Sequence, residues 1–175
     1  MLDLKETIKN AQSGDDSSFS TLIKLNKEKL YRTAYLYVKN EEEALDILSD
    51  AVCKAYLNIK KLKEPEFFNT WIMRILINTA SDTLKKKKRL RYIDDYEKFK
   101  IVDEKFCSTI AEKVDLYKAI DCLNINYKNI IILKFFEDMT IKEISTVLKR
   151  PEGTIKVYLS RALKKLKIEL KEDLI

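Results

Sequence analysis

The run MTIKEISTVLKRPEGTIKVYLSRALKKLK, residues 139–167, decides the fold. Thr140 and Glu143 have the spacing of a capping box, in which hydroxyl and carboxylate satisfy each other's free backbone N–H groups. Ile141, Ile144 and Leu148 then recur at helical spacing, which predicts a helix of only two turns. Lys149-Arg150 reads as a tight break, and Pro151 suits the first turn of a following helix, where its missing N–H costs nothing. That helix is long. Its inward face is Ile155, Leu159, Ala162, Leu163 and Leu166, and its outward face is Lys156, Val157, Ser160, Arg161 and Lys164.

A two-turn helix, a short turn and a longer basic helix make the helix-turn-helix plan. An α-helix fits the major groove of DNA, and residues in its first turns meet base edges. Lys156, Val157, Ser160 and Arg161 occupy that position, and an arginine there can hold a guanine by two hydrogen bonds. Lys164, Lys165 and Lys167 lie further along, where phosphate is the expected contact. A solvated basic face on a plain helical bundle would show the same charges, and repressors and activators use the same motif.

Upstream, Tyr127, Ile130, Ile131, Leu133 and Lys134 predict one helix, and Leu116, Ile120 and Leu123 a short amphipathic one, with a turn at Glu137-Asp138-Met139. These elements make a domain over residues 113–175. Residues 149–171 hold eight bases and two acids, whereas residues 92–115 hold seven acids and four bases without clear periodicity. Residues 91–112 therefore read as a flexible linker. Before it stands KKKKRLR, residues 85–91, with six bases in seven positions.

Residues 1–90 read as a second helical domain. Phe19, Leu22, Ile23, Leu30, Ala34 and Tyr37 form one apolar stripe. Ala44, Leu48, Ala51, Val52, Ala55 and Ile59 form another, with Ile47 beside it and Asp46, Ser49, Asp50 and Cys53 on the opposite face. Residues 60–69, with Pro65, read as a loop. Trp71, Ile72, Ile75, Leu76 and Ala80 start a third helix whose polar face offers Arg74, Asn78 and Ser81.

Composition narrows the function. The chain has 175 residues, two glycines, two prolines and no histidine. Gly14 and Gly153 are too far apart for a dinucleotide fingerprint or a phosphate loop. Without histidine there is no Ser-His-Asp triad, Cys-His pair or histidine-ligated zinc. The few turn-forming residues argue against β sandwiches and barrels. The expectation is an all-α protein that is not an enzyme and takes no cofactor, metal or small-molecule substrate. The net charge of +6 points weakly to a polyanionic partner. Cys53, Cys107 and Cys122 lack CxxC spacing and read as buried thiols of a reducing cytoplasm. MLDLKETIKN lacks a basic stretch followed by an apolar run, so no signal peptide is expected, and no apolar stretch approaches the roughly 18 residues that cross a bilayer.

With these motifs in place, Leu116 to Leu170 resembles region 4 of the sigma-70 family of bacterial RNA polymerase specificity factors. The resemblance lies in Glu143-Ile144, Pro151, Gly153-Thr154, Lys156 and Arg161-Ala162. Phe19 to Arg91 resembles region 2, through Leu30-Tyr31-Arg32, Ala44-Leu45-Asp46, Phe68-Asn69-Thr70-Trp71, Arg74-Ile75 and Asn78. Two regions joined by a short linker are similar to the extracytoplasmic-function (ECF) sigma factors. Asn124 stands where that family often has proline, and Ser49-Asp50 where it usually has Gln-Glu.

The resemblance implies partners and roles. The partners are promoter DNA, core RNA polymerase through its β′ coiled coil and β flap, and an anti-sigma factor, often membrane-bound. It implies that Asp46 and Asp50 dock on the polymerase. It implies that Thr154, Lys156, Val157, Ser160, Arg161 and Lys164 meet the −35 element. The loop 60–69 and the next helix resemble the −10 reader, with Asn78 offered to the edge of an extruded base. Leu62 and Ile75 would wall that pocket, and Lys85, Lys86, Lys87, Lys88 and Arg89 would grip phosphates. Trp71 reads more as core than as a stacking platform. A duplex-binding regulator that works without polymerase is the alternative.

Overall fold

The structure, a computed structural model, describes residues 3–96 and 116–172. Every regular element among the described residues is helical, and the chain divides into two compact units.

The first unit contains α1 (Leu4–Ser13), α2 (Asp16–Val38), α3 (Glu41–Asn58) and the start of α4, a helix that begins at Phe68 and runs to Tyr96 and leaves this unit after Thr83. Asp3, Asp15 and Asn40 cap the first three helices by accepting backbone N–H groups. Gly14 ends α1 at φ 104, and the Asp15 N–H donates to the Asn10 carbonyl at 3.0 Å, which closes a Schellman turn. The apolar stripes point inward as their spacing predicts. Phe19, Leu22, Leu30, Ala34 and Tyr37 of α2 are buried, as are Ala44, Ile47, Leu48, Ala51 and Ala55 of α3. From α4, Phe68, Ile72, Met73, Leu76, Ile77 and Ala80 complete this core. Lys54 of α3 donates from Nζ to Thr79 Oγ1 of α4 at 3.0 Å, which ties the two helices at the core edge.

Several expectations need correcting. The segment 60–69 is not a plain loop. It holds two 3₁₀ turns, Ile59–Lys61 and Pro65–Phe67, joined by an extended stretch. Ser81, expected on the polar face of α4, is buried. The linker expected from residue 91 begins no earlier than residue 97, because α4 continues through the basic tract. Residues 97–115 lie outside the described residues. The expectation of three buried thiols also fails: Cys53 is free and exposed, Cys122 is disulfide-bonded, and Cys107 lies outside the described residues.

The second unit contains α5 (Leu116–Asp121), α6 (Ile125–Ile131), α8 (Glu152–Glu172) and α7 (Ile141–Leu148) up to Ser145. Asn124 caps α6, accepting the Tyr127 N–H at 3.1 Å, which gives this position a role that proline cannot fill. Ala119, Ile120, Leu123 and Ile131 form a core cluster with Ala162 and Leu166 of α8. Lys128 is buried, and its ammonium is paired with Asp121 at 2.6 Å. After α6 the helix widens into a π turn, Ile132–Phe136, before a break at Asp138. Two leucines depart from expectation: Leu116 is 46% exposed and Leu163 is 42% exposed.

The turn between α7 and α8 is closed from both sides by Ser145. Its hydroxyl donates to the Arg150 carbonyl at 2.6 Å, and its carbonyl accepts the Arg150 N–H at 3.1 Å. The Thr140–Glu143 capping box is present in full. Pro151 sits one residue before α8 rather than inside its first turn, and its carbonyl accepts the Ile155 N–H at 3.1 Å. Lys149 adopts the left-handed conformation at φ 52, which costs a non-glycine residue about 1–2 kcal/mol. Lys149→Gly is therefore expected to stabilise this unit by about 0.5–1 kcal/mol, after the greater chain entropy of glycine is subtracted. Native-state hydrogen exchange of the α7 and α8 amides measures this, and unchanged or weaker protection would contradict it.

Candidate nucleic-acid interface

In the second unit the interface is built by the rotation of α8. Each residue advances about 100° around a helix. Ile155, Ala162 and Leu166 are buried, with relative exposures of 0%, 0% and 6%, and fix one side. Val157, Ser160, Arg161 and Lys164 fall on the opposite side, and all four are exposed. Lys156 is exposed and Thr154 half-buried, and their angles put them on the two flanks of this stripe. Leu163 lies at the edge of the buried arc, which explains its exposure.

One basic residue of the turn was missing from the sequence-based site. Arg150 is exposed, its guanidinium stacks 5.5 Å from the Tyr158 ring centroid, and it donates to Asn126 Oδ1 at 3.3 Å. Tyr158 meets Tyr127 edge to face at 5.5 Å, and Lys165 sits 5.8 Å from the Tyr127 ring. These contacts hold one cation, Arg150, beside the start of α8 and a second, Lys165, on α8 itself. The signal in the sequence was slight, since Arg150 lies in a turn with no periodicity.

A second stripe lies along α4. Trp71, Arg74, Ile75, Asn78, Lys85 and Arg89 fall within about 60° of one line along that helix. Trp71 and Ile75 are half-buried, and Asn78, Lys85 and Arg89 are exposed. Trp71 therefore lies at the edge of the core, 5.9 Å from the Phe68 ring, with part of its surface on the polar stripe. Its spacing to Asn78 already held that signal. Asp82, exposed, places one acid among these groups.

Two site residues are not where sequence placed them. Leu62 is 6% exposed and serves the core, so its side chain is not open to a base. The basic tract is helical, so its four lysines and one arginine from residue 85 to 89 wrap a full turn and cannot all face one backbone. Lys85 and Arg89 continue the Asn78 line, Lys86 and Lys88 lie to its sides, and Lys87 points the other way and is half-buried. On α3, Asp46 and Asp50 are both exposed and lie four residues apart, so they share one face.

Among the described residues no group of side chains has the composition of a metal site, and no helix is long and apolar enough to cross a membrane.

The fold and these surfaces define a two-part helical DNA-binding protein, one part a helix-turn-helix. Comparison with known proteins makes this specific. The family Sigma-70 region 2 matches residues 22–90, and Sigma-70, region 4 matches residues 113–166. RNA polymerase sigma factor SigV of Bacillus subtilis is 40% identical over 155 residues, covering 88% of this chain and 92% of that protein. ECF RNA polymerase sigma factor SigW of the same organism is 28% identical, covering 97% of both chains. Two solved structures share the fold. One, CnrH in complex with the cytosolic domain of CnrY, has a TM-score of 0.71 at 19% identity over 98% of this chain and 99% of that one. The other, the sigma factor RpoE in complex with the anti-sigma factor NepR from Bartonella quintana, has a TM-score of 0.67 at 22% identity over 89% and 98%. The chain belongs to the sigma-70 family of RNA polymerase sigma factors and is of the ECF type. Members of this family are transcription initiation factors.

Two outcomes follow from the stripes. Arg161→Ala is expected to cost about 1–3 kcal/mol of −35 binding and to relax preference at one base pair. Titration of holoenzyme against −35 duplexes changed one base at a time measures this, and an equal loss on every duplex would make Arg161 a phosphate contact. Neutralising Lys85 and Arg89 together is expected to flatten the log–log salt dependence of promoter binding by roughly two units. Neutralising Lys87 should leave that slope unaltered, and equal effects from both changes would refute the stripe.

Proposed function

We propose that this sigma factor works by three surfaces with separate tasks. The outward stripe of α8 reads the −35 duplex, with Val157, Ser160 and Arg161 toward base edges and Lys164 toward phosphate. Thr154 and Lys156 meet the DNA from its flanks. The segment 59–67 and the first half of α4 receive the −10 element. There Asn78 carries both a donor and an acceptor for one extruded base, and Ile75 and Trp71 border it with apolar surface. An unstacked base is held through its Watson–Crick edge and by stacking, and this offsets the few kcal/mol that flipping costs. Lys85 and Arg89 then follow the strand along the same side of α4. Asp46 and Asp50 on α3 dock on core polymerase at the β′ coiled coil, and the second unit meets the β flap.

The single observation that carries this reading is the order of the two matched regions along the chain, each with its polar stripe exposed and its apolar stripe buried. In this reading nucleotide addition belongs to the polymerase, and the chain supplies binding and positioning in the cytoplasm. Both structural neighbours described above are complexes, one of them with an anti-sigma factor. By analogy, an anti-sigma protein holds this chain inactive by covering the same surfaces.

Reconstitution with core polymerase and transcription from a promoter library tests the whole reading. Wild-type chain is expected to select a −35 and −10 pair. The double variant Asp46→Lys, Asp50→Lys is expected to lose co-purification with core polymerase and all transcription. Its stability should shift by no more than about 0.5 kcal/mol, as is usual for exposed sites. Normal polymerase binding by the folded double variant would remove α3 as the docking face.

A further inference from the structure

Helix α1 precedes the residues matched by either sigma-70 region, yet it lies against the segment assigned above to the −10 element. Lys5, Ile8 and Gln12 fall on one side of α1, since steps of three and four residues stay on one helical face. Ile8 is 1% exposed and anchors this side in the core. At one end, the Gln12 side-chain amide donates to the Leu62 carbonyl at 2.5 Å and approaches the Ile59 carbonyl at 3.4 Å. These carbonyls bracket the first 3₁₀ turn. At the other end, Lys5 Nζ meets Glu66 at 2.6 Å, inside the second 3₁₀ turn. The hydrogen bond from Lys5 holds the Glu66 carboxyl below the usual carboxylate range. Lys5 and Gln12 are seven residues apart, about 10 Å along the axis. Between their two attachment points lie Lys63 and Glu64, both exposed.

We propose that α1 is a splint that holds the segment 59–67 ready to receive the extruded −10 base, with Gln12 and Lys5 as positioning residues. This inference rests on the −10 assignment of that segment. The physical gain is preorganisation. A loop already held in its bound conformation does not have to be ordered when DNA arrives, and that saving appears as affinity. Gln12 carries most of the effect because its bonds are partly buried. The Lys5–Glu66 pair is exposed and weakened by salt.

The test uses reconstituted holoenzyme and two probes. One is a single-stranded oligonucleotide of the non-template −10 sequence selected by the wild-type protein, and the other is the matching −35 duplex. Gln12→Glu keeps the shape but turns an acceptor toward two carbonyls. It is expected to weaken −10 strand binding about fivefold, the worth of one hydrogen bond, and to leave −35 and core polymerase binding unchanged. Lys5→Glu should weaken the same probe less, and more visibly at low salt. Lys5→Glu combined with Glu66→Lys should restore it, a rescue that simple loss of stability would not show. If Gln12→Glu fails to fold, the charge-swap pair decides. Undiminished −10 binding by folded Gln12→Glu and Lys5→Glu would overturn the splint. Lys63→Ala with Glu64→Ala separates the two levels. If that variant alters −10 binding while the α1 variants do not, only the splint falls. If it leaves −10 binding and preference at wild-type values, the assignment of the loop falls and the splint with it.

Discussion

Burial of Ile155, Ala162 and Leu166 fixes the rotation of α8 about its own axis, and the DNA-facing surface follows from that constraint. Side chains on a helix are rigidly phased, so choosing which three enter the core also chooses which four leave it. Val157, Ser160, Arg161 and Lys164 need no contacts of their own to be presented together. A single apolar substitution in the core, by letting α8 turn or shift, would move all of them at once. The capping box at Thr140 and the double closure of the turn by Ser145 fix where α8 starts, so its first turns sit at a defined point. Position along the axis and rotation about it are both set before any DNA is met.

The same phasing governs α4 and changes how its charges act. Six bases in seven residues look like one patch when written in a line. On a helix the five from Lys85 to Arg89 wrap a full turn, and of these five Lys85 and Arg89 extend the line of Asn78. A net charge of +6 is modest, but it is distributed by face. Basic stripes lie on α4 and α8, and an acidic face lies on α3. In the proposed reading, a chain that both grips a polyanion and docks on a protein keeps those charges on separate helices, where each field acts on its own partner.

Apolar and polar contacts hold different parts of the segment 59–67 in the first unit. Its core is a large apolar assembly contributed by all four helices, and the segment 59–67 takes part through Ile59 and Leu62. What the core does not fix is the exposed backbone between the two 3₁₀ turns. There the contacts are polar and come from α1, through Gln12 and Lys5. Apolar burial holds the segment in place, and polar bonds select its shape.

The sequence by itself determined the helical class, the two-part organisation and the recognition helix, because these depend on local periodicity and capping. Thr140 with Glu143, the Ile155–Leu166 stripe and the opposed faces of α3 all lie within one element, where spacing alone settles the geometry. The polar residues of α8 and α3 were legible for the same reason. Tertiary structure decided what depends on neighbours distant in sequence. Leu62 turned out to be core because other elements close over it, and Ser81 was buried although it sits among polar positions. Leu163, at the edge of an apolar arc, and Leu116, at the start of α5, are exposed among the described residues. The continuation of α4 through the basic tract overrode a boundary drawn from composition, since charge alone does not end a helix. Gln12 shows the limit most plainly. Its partners are 47 and 50 residues away, and no local pattern marks a side chain whose role is set by chain folding back upon it.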